Sequence, residues 1–213
     1  MAAPGARSAA RRQPTKLTVL PATSGRWPDV EAIFNARGCS VARGCWCMHY
    51  RRSGSVPAGT SRAKLYHAGL KALVDAGRSP GLIAYRGKVP VGWVSLAPRE
   101  EFERLRRSPV MKPVDDQPVW SIICFVVPPM HRGQGVAHAL LRGAISFAAK
   151  HGATLVEAYP VDKTQRSKDD SVWFGPKSMY DRAGFREVAR RKPARPVVRL
   201  ELRRGGERKR GGR

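Results

Sequence analysis

The chain has 213 residues, 42% of them hydrophobic, and a formal net charge of +24 from 40 basic and 16 acidic side chains. That length suits one domain with modest additions, large enough to bury a core without staples, and the apolar content excludes wholesale disorder. The longest apolar run, Ile122 to Val127, is far short of the roughly 20 residues of a membrane-spanning helix, and the start lacks a charged-then-apolar secretory pattern, so a cytoplasmic protein with no membrane partner is expected.

In chain order, residues 1–15 are Ala/Arg/Ser/Pro-rich and read as a disordered basic tail. Lys16 to Leu20 reads as a first strand. Pro28 opens a short helix with Val30, Ile33 and Phe34 on one face, ending near Gly38. The stretch from Gly38 to Val56 is irregular and rich in Cys, Gly and Arg, the kind of long loop that more often carries function. Thr60 or Ser61 caps a second helix bearing Leu65, Leu70, Leu73 and Val74, stopped by Gly77. Strands Gly81–Arg86 and Val89–Leu96 meet at Arg86-Gly87-Lys88, an antiparallel hairpin signal. Glu100 to Arg107 suits a short charged helix. Val119 to Val127 is nearly continuous in apolar residues, as a central strand buried on both faces would be.

The clearest helix follows, with Ala137, Leu140, Leu141, Ala144 and Ala148 as its inner stripe and Gly152 at its end. Ala153 to Tyr159 is the next strand, so that strand, helix and strand make a parallel unit. Ser171 to Ala183 reads as loop and helix. Phe185–Arg190 and Val197–Leu202 close the domain as strands. The domain is thus expected over 16–203, followed by a second disordered basic tail over 204–213. The tails would attract polyanions in a salt-dependent, non-specific way, but no nucleic-acid recognition motif accompanies the charge.

Four cysteines are present, and Cys39, Cys45, Cys47 and His49 lie within eleven residues. Cys and His ligate zinc, but this spacing matches no familiar zinc pattern, and buried thiols beside Trp46 and Met48 account for it as well. No metal is expected.

The chemical signal lies between Cys124 and Ala137. A buried strand ends, a loop turns, and a helix starts at Gly133 and Gly135. Small residues there leave backbone N–H groups uncovered at the positive end of a helix dipole, which makes an anion site, and Arg132 adds a fixed charge. A dinucleotide-binding turn fits poorly: its third glycine position is His138, and five residues separate Val127 from Gly133. A triphosphate loop at Gly175-Pro176-Lys177-Ser178 lacks its upstream glycine, with Asp170 there instead.

Arg132-x-x-Gly135-x-Ala137 resembles the Q/R-x-x-G-x-G/A signature of the GNAT superfamily of acyl-CoA N-acyltransferases. The strand ending in Val127, Pro129 three residues before Arg132, and the helix with Leu140-Leu141 fit as well. Tyr180-Asp181-Arg182-Ala183-Gly184-Phe185 is similar to that superfamily's Y-x-x-x-G-F element. The resemblance covers about residues 17–203. Gly44–Arg51, Val91–Arg99 and Glu157–Asp162 also resemble an uncharacterised actinobacterial-type subgroup.

The resemblance implies an α/β fold with a mixed, mainly antiparallel sheet of about seven strands flanked by helices. It implies acetyl-CoA as cosubstrate and acetyl transfer to a primary amine by direct attack. The pantetheine arm would pair with backbone groups of Phe125, Val126 and Val127 like an added strand, and one of those N–H groups would stabilise the oxyanion. The pyrophosphate would sit on Arg132, Gly133, Gln134, Gly135, Val136 and Ala137. Tyr180 matches the tyrosine that often protonates the departing thiolate, with a wall residue that contacts the sulfur without proton transfer as its alternative.

The general base is less defined. Glu157 is one candidate, with a salt bridge to an arginine as its alternative. Asp115 and Asp116 suit either a cationic substrate or a polar turn, and Glu100, Glu101 and Glu103 suit a solvated helix face with Arg104 and Arg107. Cys124 reads as core and His131 as a loop residue near phosphate. Cys45–His49, Trp93 and Tyr159 suit an acceptor pocket or simple packing. Small-molecule and protein amines both remain open as acceptors, as do a monomer and a homodimer. A catalytically silent acyl-CoA-binding module and a basic nucleic-acid-associated protein are the rival functions.

Overall fold

The computed structural model describes residues 16–162 and 173–202. Both expected tails lie outside the described residues. Seven strands form one sheet in the order β1-β2-β3-β4-β5-β7-β6: β1 Leu17–Pro21, β2 Gly81–Arg86, β3 Val89–Pro98, β4 Trp120–Val126, β5 Leu155–Ala158, β6 Arg186–Lys192 and β7 Arg195–Glu201. All neighbours are antiparallel except β4 and β5, which are parallel. The sheet is therefore mixed and mainly antiparallel, as the resemblance implied. The one parallel pair follows from the helix between its strands, since a crossover must return the chain in the same direction.

That helix is α5, Val136–Lys150, and it buries Val136, Ala139, Leu140, Leu141, Ala144 and Ala148. All of these but Ala139 join Leu82, Val94, Leu96, Ile122, Phe125 and Val156 in the main core cluster. Helix and sheet approach closely because Gly143 has no side chain: a Cβ there would stand 2.5 Å from a methyl of Val19 in β1. On the other face lie α1 Trp27–Asn35, α2 Ser40–Cys45 and α3 Arg62–Asp75. Pro28 stands in the first turn of α1, and the hydroxyl of Ser61 caps α3. Alternation along β3 divides the faces, with Trp93 in the second cluster and Val94 in the first.

The structure departs from the sequence reading between Gly38 and Val56. A short helix, α2, forms in what reads as loop. It ends in two consecutive non-glycine residues of left-handed backbone, Trp46 (φ 44°) and Cys47 (φ 51°). Such residues cost about 1 kcal/mol or more each. Stacking of Trp46 on Phe34, 4.7 Å between centroids and nearly parallel, offsets part of that. The charged stretch after β3 breaks into a 3₁₀ turn and a single helical turn, α4 Glu103–Arg106, because Phe102 turns inward between them and is fully buried. The last helix, α6, is Lys177–Asp181.

Among the described residues no helix is long and apolar enough to cross a membrane. Leu140 sits fully buried between α5 and the sheet. Leu140→Ala should lower unfolding stability by about 3 kcal/mol in a denaturant titration, the usual cost of an unrelaxed cavity.

Candidate active site

The site is built from the place where β4 and β5 part. Their pairing runs only from Trp120↔Val156 to Ile122↔Ala158. At that level the register of β4 against β3 slips: Ser95 faces Cys124 and Leu96 faces Ile122, so Ile123 is an extra residue. A bulge bends its strand and increases the local twist, and the upper half of β4 turns away from β5. The result is a gap with Phe125 and Val126 on one side and Tyr159 to Val161 on the other.

The segment around α6 reaches into this gap. The Phe125 N–H donates to the Trp173 carbonyl at 2.7 Å. On the far side Val161 N–H donates to Gly175 O at 3.0 Å, and Lys177 N–H donates to Val161 O at 2.9 Å. The Phe125 amide therefore points away from β3, into the gap, and accepts a carbonyl as partner there.

Beyond β4, Pro129–His131 makes a 3₁₀ turn, and Gly133 and Gly135 follow with φ of 71° and 77°. Only glycine adopts that conformation without strain. A Cβ at either position would meet nothing within 4 Å, so the turn is open to solvent rather than plugged. Gly135 caps α5 with no side-chain partner, which leaves the first-turn N–H groups of a four-turn helix facing outward. Arg132 Nε donates to the Val127 carbonyl at 3.0 Å and so braces the loop to the end of the strand. Gln134 donates to the Met130 carbonyl and accepts from Arg86. His131 is less basic than an ordinary histidine, through partial burial and then the Arg86 charge.

Tyr180 is fully buried in α6, and its hydroxyl donates to the Phe174 carbonyl at 2.8 Å. Burial first, and Cys124 second, push its pKa well above the ordinary phenol value. It stands beside Gly175 and Phe125: a Cβ at Gly175 would lie 3.3 Å from the Tyr180 ring and 3.8 Å from that of Phe125.

Glu157 lies one rung below the opening, opposite Ser121, and is fully buried. Its Oε1 accepts from the Tyr159 hydroxyl at 2.6 Å and its Oε2 from Arg199 Nε at 2.7 Å, with Arg99 3.7 Å away. Arg199 also grips Asp115 with both terminal nitrogens, at 2.6 and 2.9 Å, and this holds the Asp115 carboxyl below its ordinary range. Glu157 and Asp115 are thus both ion-paired with arginine, which is the alternative weighed for Glu157. Glu101 and Glu103 also bond to groups outside their own segment. Glu101 binds Arg51 at 2.7 Å and Arg78 at 2.6 Å, and Glu103 accepts from the hydroxyl of Ser53 at 2.6 Å, so they lock the loop after α2.

Cys47 and Cys124 meet with both thiols inside, and burial raises the Cys45 thiol to about 11. No group of three or more Cys, His, Asp or Glu among the described residues is placed to hold a metal ion. Trp93 and Tyr159 are fully buried and act as packing. Sequence reasoning missed Tyr50, Phe174 and Arg195, which gather on the face of the gap opposite α5. They come from three distant segments, and no local spacing signals them.

Comparison with known proteins agrees with this geometry. Residues 46–185 match the model of the acetyltransferase (GNAT) family. Among solved structures the chain resembles yncA of Salmonella typhimurium, solved with its cofactor acetyl-CoA, at 17% identity, TM-score 0.50, covering 90% of this chain and 96% of that one. An N-acetyltransferase from Staphylococcus aureus Mu50 matches at 14% identity and TM-score 0.50, over 88% of this chain and 99% of that one. The polyamine N-acetyltransferase of Drosophila melanogaster matches at 13% identity and TM-score 0.50, over 88% and 100%. These likenesses concern the fold. No curated protein matches the chain in sequence. A parted β4/β5 pair, an open glycine turn opening the long helix, and a family match across most of the folded residues lead to one conclusion: this chain is a member of the GNAT acetyltransferase family.

Proposed function

We propose that the protein is an N-acetyltransferase that carries the acetyl group of acetyl-CoA to a primary amine by direct attack. The observation that supports this best is the uncovered turn Arg132–Ala137 at the end of β4, where two left-handed glycines leave the start of α5 unobstructed. Those amides, with the helix dipole behind them, suit the pyrophosphate. Acetyl-CoA supplies the activated thioester.

The chain's own groups do the rest. The gap-facing amide of Phe125 takes a carbonyl from Trp173 in this structure; in the proposed complex it donates to a carbonyl of the ligand, with Val126 and Val127 continuing that edge. A fixed amide costs no reorganisation as negative charge develops. Tyr180 is the proposed acid. Its raised pKa keeps the phenol protonated, and its hydroxyl turns from the Phe174 carbonyl to the leaving sulfur. Glu157 is a positioning residue: it fixes Tyr159, and through it Ser121, at the floor of the gap. The working unit is residues 16–203, and the basic tails 1–15 and 204–213 add non-specific polyanion affinity.

Four outcomes test this reading. Gly135→Val, which strains the turn and covers it, should weaken acetyl-CoA binding at least tenfold by calorimetry, and Arg132→Glu should do the same; unchanged affinity refutes the phosphate site. Tyr180→Phe should lower kcat about 100-fold with acetyl-CoA affinity kept. Because the Tyr180 phenol titrates above its ordinary value, wild-type kcat should show no falling alkaline limb below about pH 10. Glu157→Gln should cost about 3 kcal/mol of stability by breaking a buried pair, with kcat of the folded fraction falling less than tenfold. A loss of 100-fold or more without destabilisation would make Glu157 the base.

A further inference from the structure

The face of the gap opposite α5 carries chemistry for the acceptor. Arg195, at the start of β7, lies with its guanidinium carbon 4.4 Å from the centre of the Phe174 ring. Tyr50 meets the same ring edge-on at 5.6 Å. Phe174 directly follows Trp173, whose carbonyl takes the Phe125 amide, so this cluster borders the place where the reacting carbonyl would lie. The arginine is held from below by weak neutral contacts. Its Nη2 stands 3.4 Å from the Tyr159 carbonyl and 3.8 Å from the Met111 sulfur.

What distinguishes Arg195 is an unpartnered buried nitrogen together with the lack, among the described residues, of a carboxylate partner. Arg51, Arg190 and Arg199 each have carboxylate partners. Among the described residues no carboxylate pairs with Arg195, and its Nε is buried with no hydrogen-bond partner. Burial lowers its pKa below the ordinary arginine value, and the group that works against that shift is Tyr50. Along the rim, His49 is made less basic by burial and then by Arg104 and Arg62. Arg62 and Arg104 beside His49, with Arg195 held on the face of Phe174, make this rim positive. A half-buried guanidinium in that state suits an oxyanion, which it binds through paired N–H donors.

We propose that the acceptor is a small amine carrying its own anion, a carboxylate or a phosphate within a few bonds of the nitrogen, and that Arg195 receives that anion against Phe174 and Tyr50. This rests on the acetyl-transfer reading above. It sets the amine at the thioester by anchoring the opposite end of the molecule, and it disfavours polycationic acceptors, which this rim repels.

The test uses matched pairs that differ in the anion: phenylalanine against 2-phenylethylamine, β-alanine against ethylamine, and O-phosphoethanolamine against ethanolamine, with spermidine as a cationic control. Thiol release from acetyl-CoA gives kcat/KM for each. Calorimetry of N-acetylphenylalanine and N-acetyl-2-phenylethylamine on the CoA-loaded protein gives a second readout that needs no turnover. The expected result is a preference of about 10- to 100-fold for the anionic member of at least one pair, in keeping with a charge-assisted contact. The carboxylate and phosphate pairs show which anion is used.

Arg195→Gln should reduce the preference to less than threefold, and Arg195→Lys, which keeps the charge without the fork, should retain part of it; the lysine variant also serves if the glutamine variant does not fold. The proposal is overturned if uncharged members or spermidine are preferred, or if Arg195→Gln weakens both members of a pair equally. It also falls, with the acetyl-CoA site intact, if acetyl-CoA binds but no amine in the set is acetylated and neither acetylated product binds. Failure to bind acetyl-CoA at all would instead overturn the acetyl-transfer reading, and this inference with it.

Discussion

The parting of β4 from β5 is the constraint on which the rest of this structure depends. A parallel pair that stayed in register would bury its backbone amides in ladder hydrogen bonds and leave nowhere for a ligand to pair. Here the extra residue Ile123 ends that ladder after three rungs. Phe125 is left with an amide that no strand takes and that donates to the Trp173 carbonyl instead. The same bend delivers the chain to the glycine turn, so the exposed strand edge and the start of α5 lie in sequence along one path. A long thioester cosubstrate needs that combination, an extended edge for its arm and a positive helix end for its phosphates.

The charge distribution follows a second rule. A chain this rich in arginine buries several guanidinium groups, and most of them are neutralised. Glu157, Arg199, Asp115 and Arg99 form one connected set beneath the gap, joining β5 and β7 to the segment before β4. Such a set contributes little net stability, but it is costly to break and holds strands in one register. Arg51 and Glu101 do similar work for the loop after α2, with Arg51 lying over Phe102. Against that background Arg195 stands apart: among the described residues it has no carboxylate partner, its Nε is buried and unpartnered, and it lies against Phe174.

Much of the fold was legible in the residues. The hairpin at Gly87, the apolar run of β4, the stripe of α5 and the caps at Pro28 and Ser61 are local signals, each read at the spacing where it acts. The glycine turn was legible for the same reason, because left-handed backbone selects the residue directly. Helix α2 was not: its six residues carry no apolar period, and its end depends on Trp46 stacking on Phe34 from another helix. The partners of Glu101 and Glu103 were also hidden, since the nearest arginines in sequence are on the same short segment while the bonded groups, Arg51, Arg78 and Ser53, come from distant segments.

By itself the sequence determined most of the elements, their order, and an open glycine turn ahead of the longest helix, because these depend on residues within one turn or one strand of each other. Only the tertiary structure decided what the carboxylate of Glu157 faces, that the Phe125 amide leaves the sheet ladder for the Trp173 carbonyl, and that Tyr50, Phe174 and Arg195 converge beside it. Ion pairing and desolvation are set by which distant side chains share a low-dielectric space, and that is a property of the packed chain rather than of its local spacing.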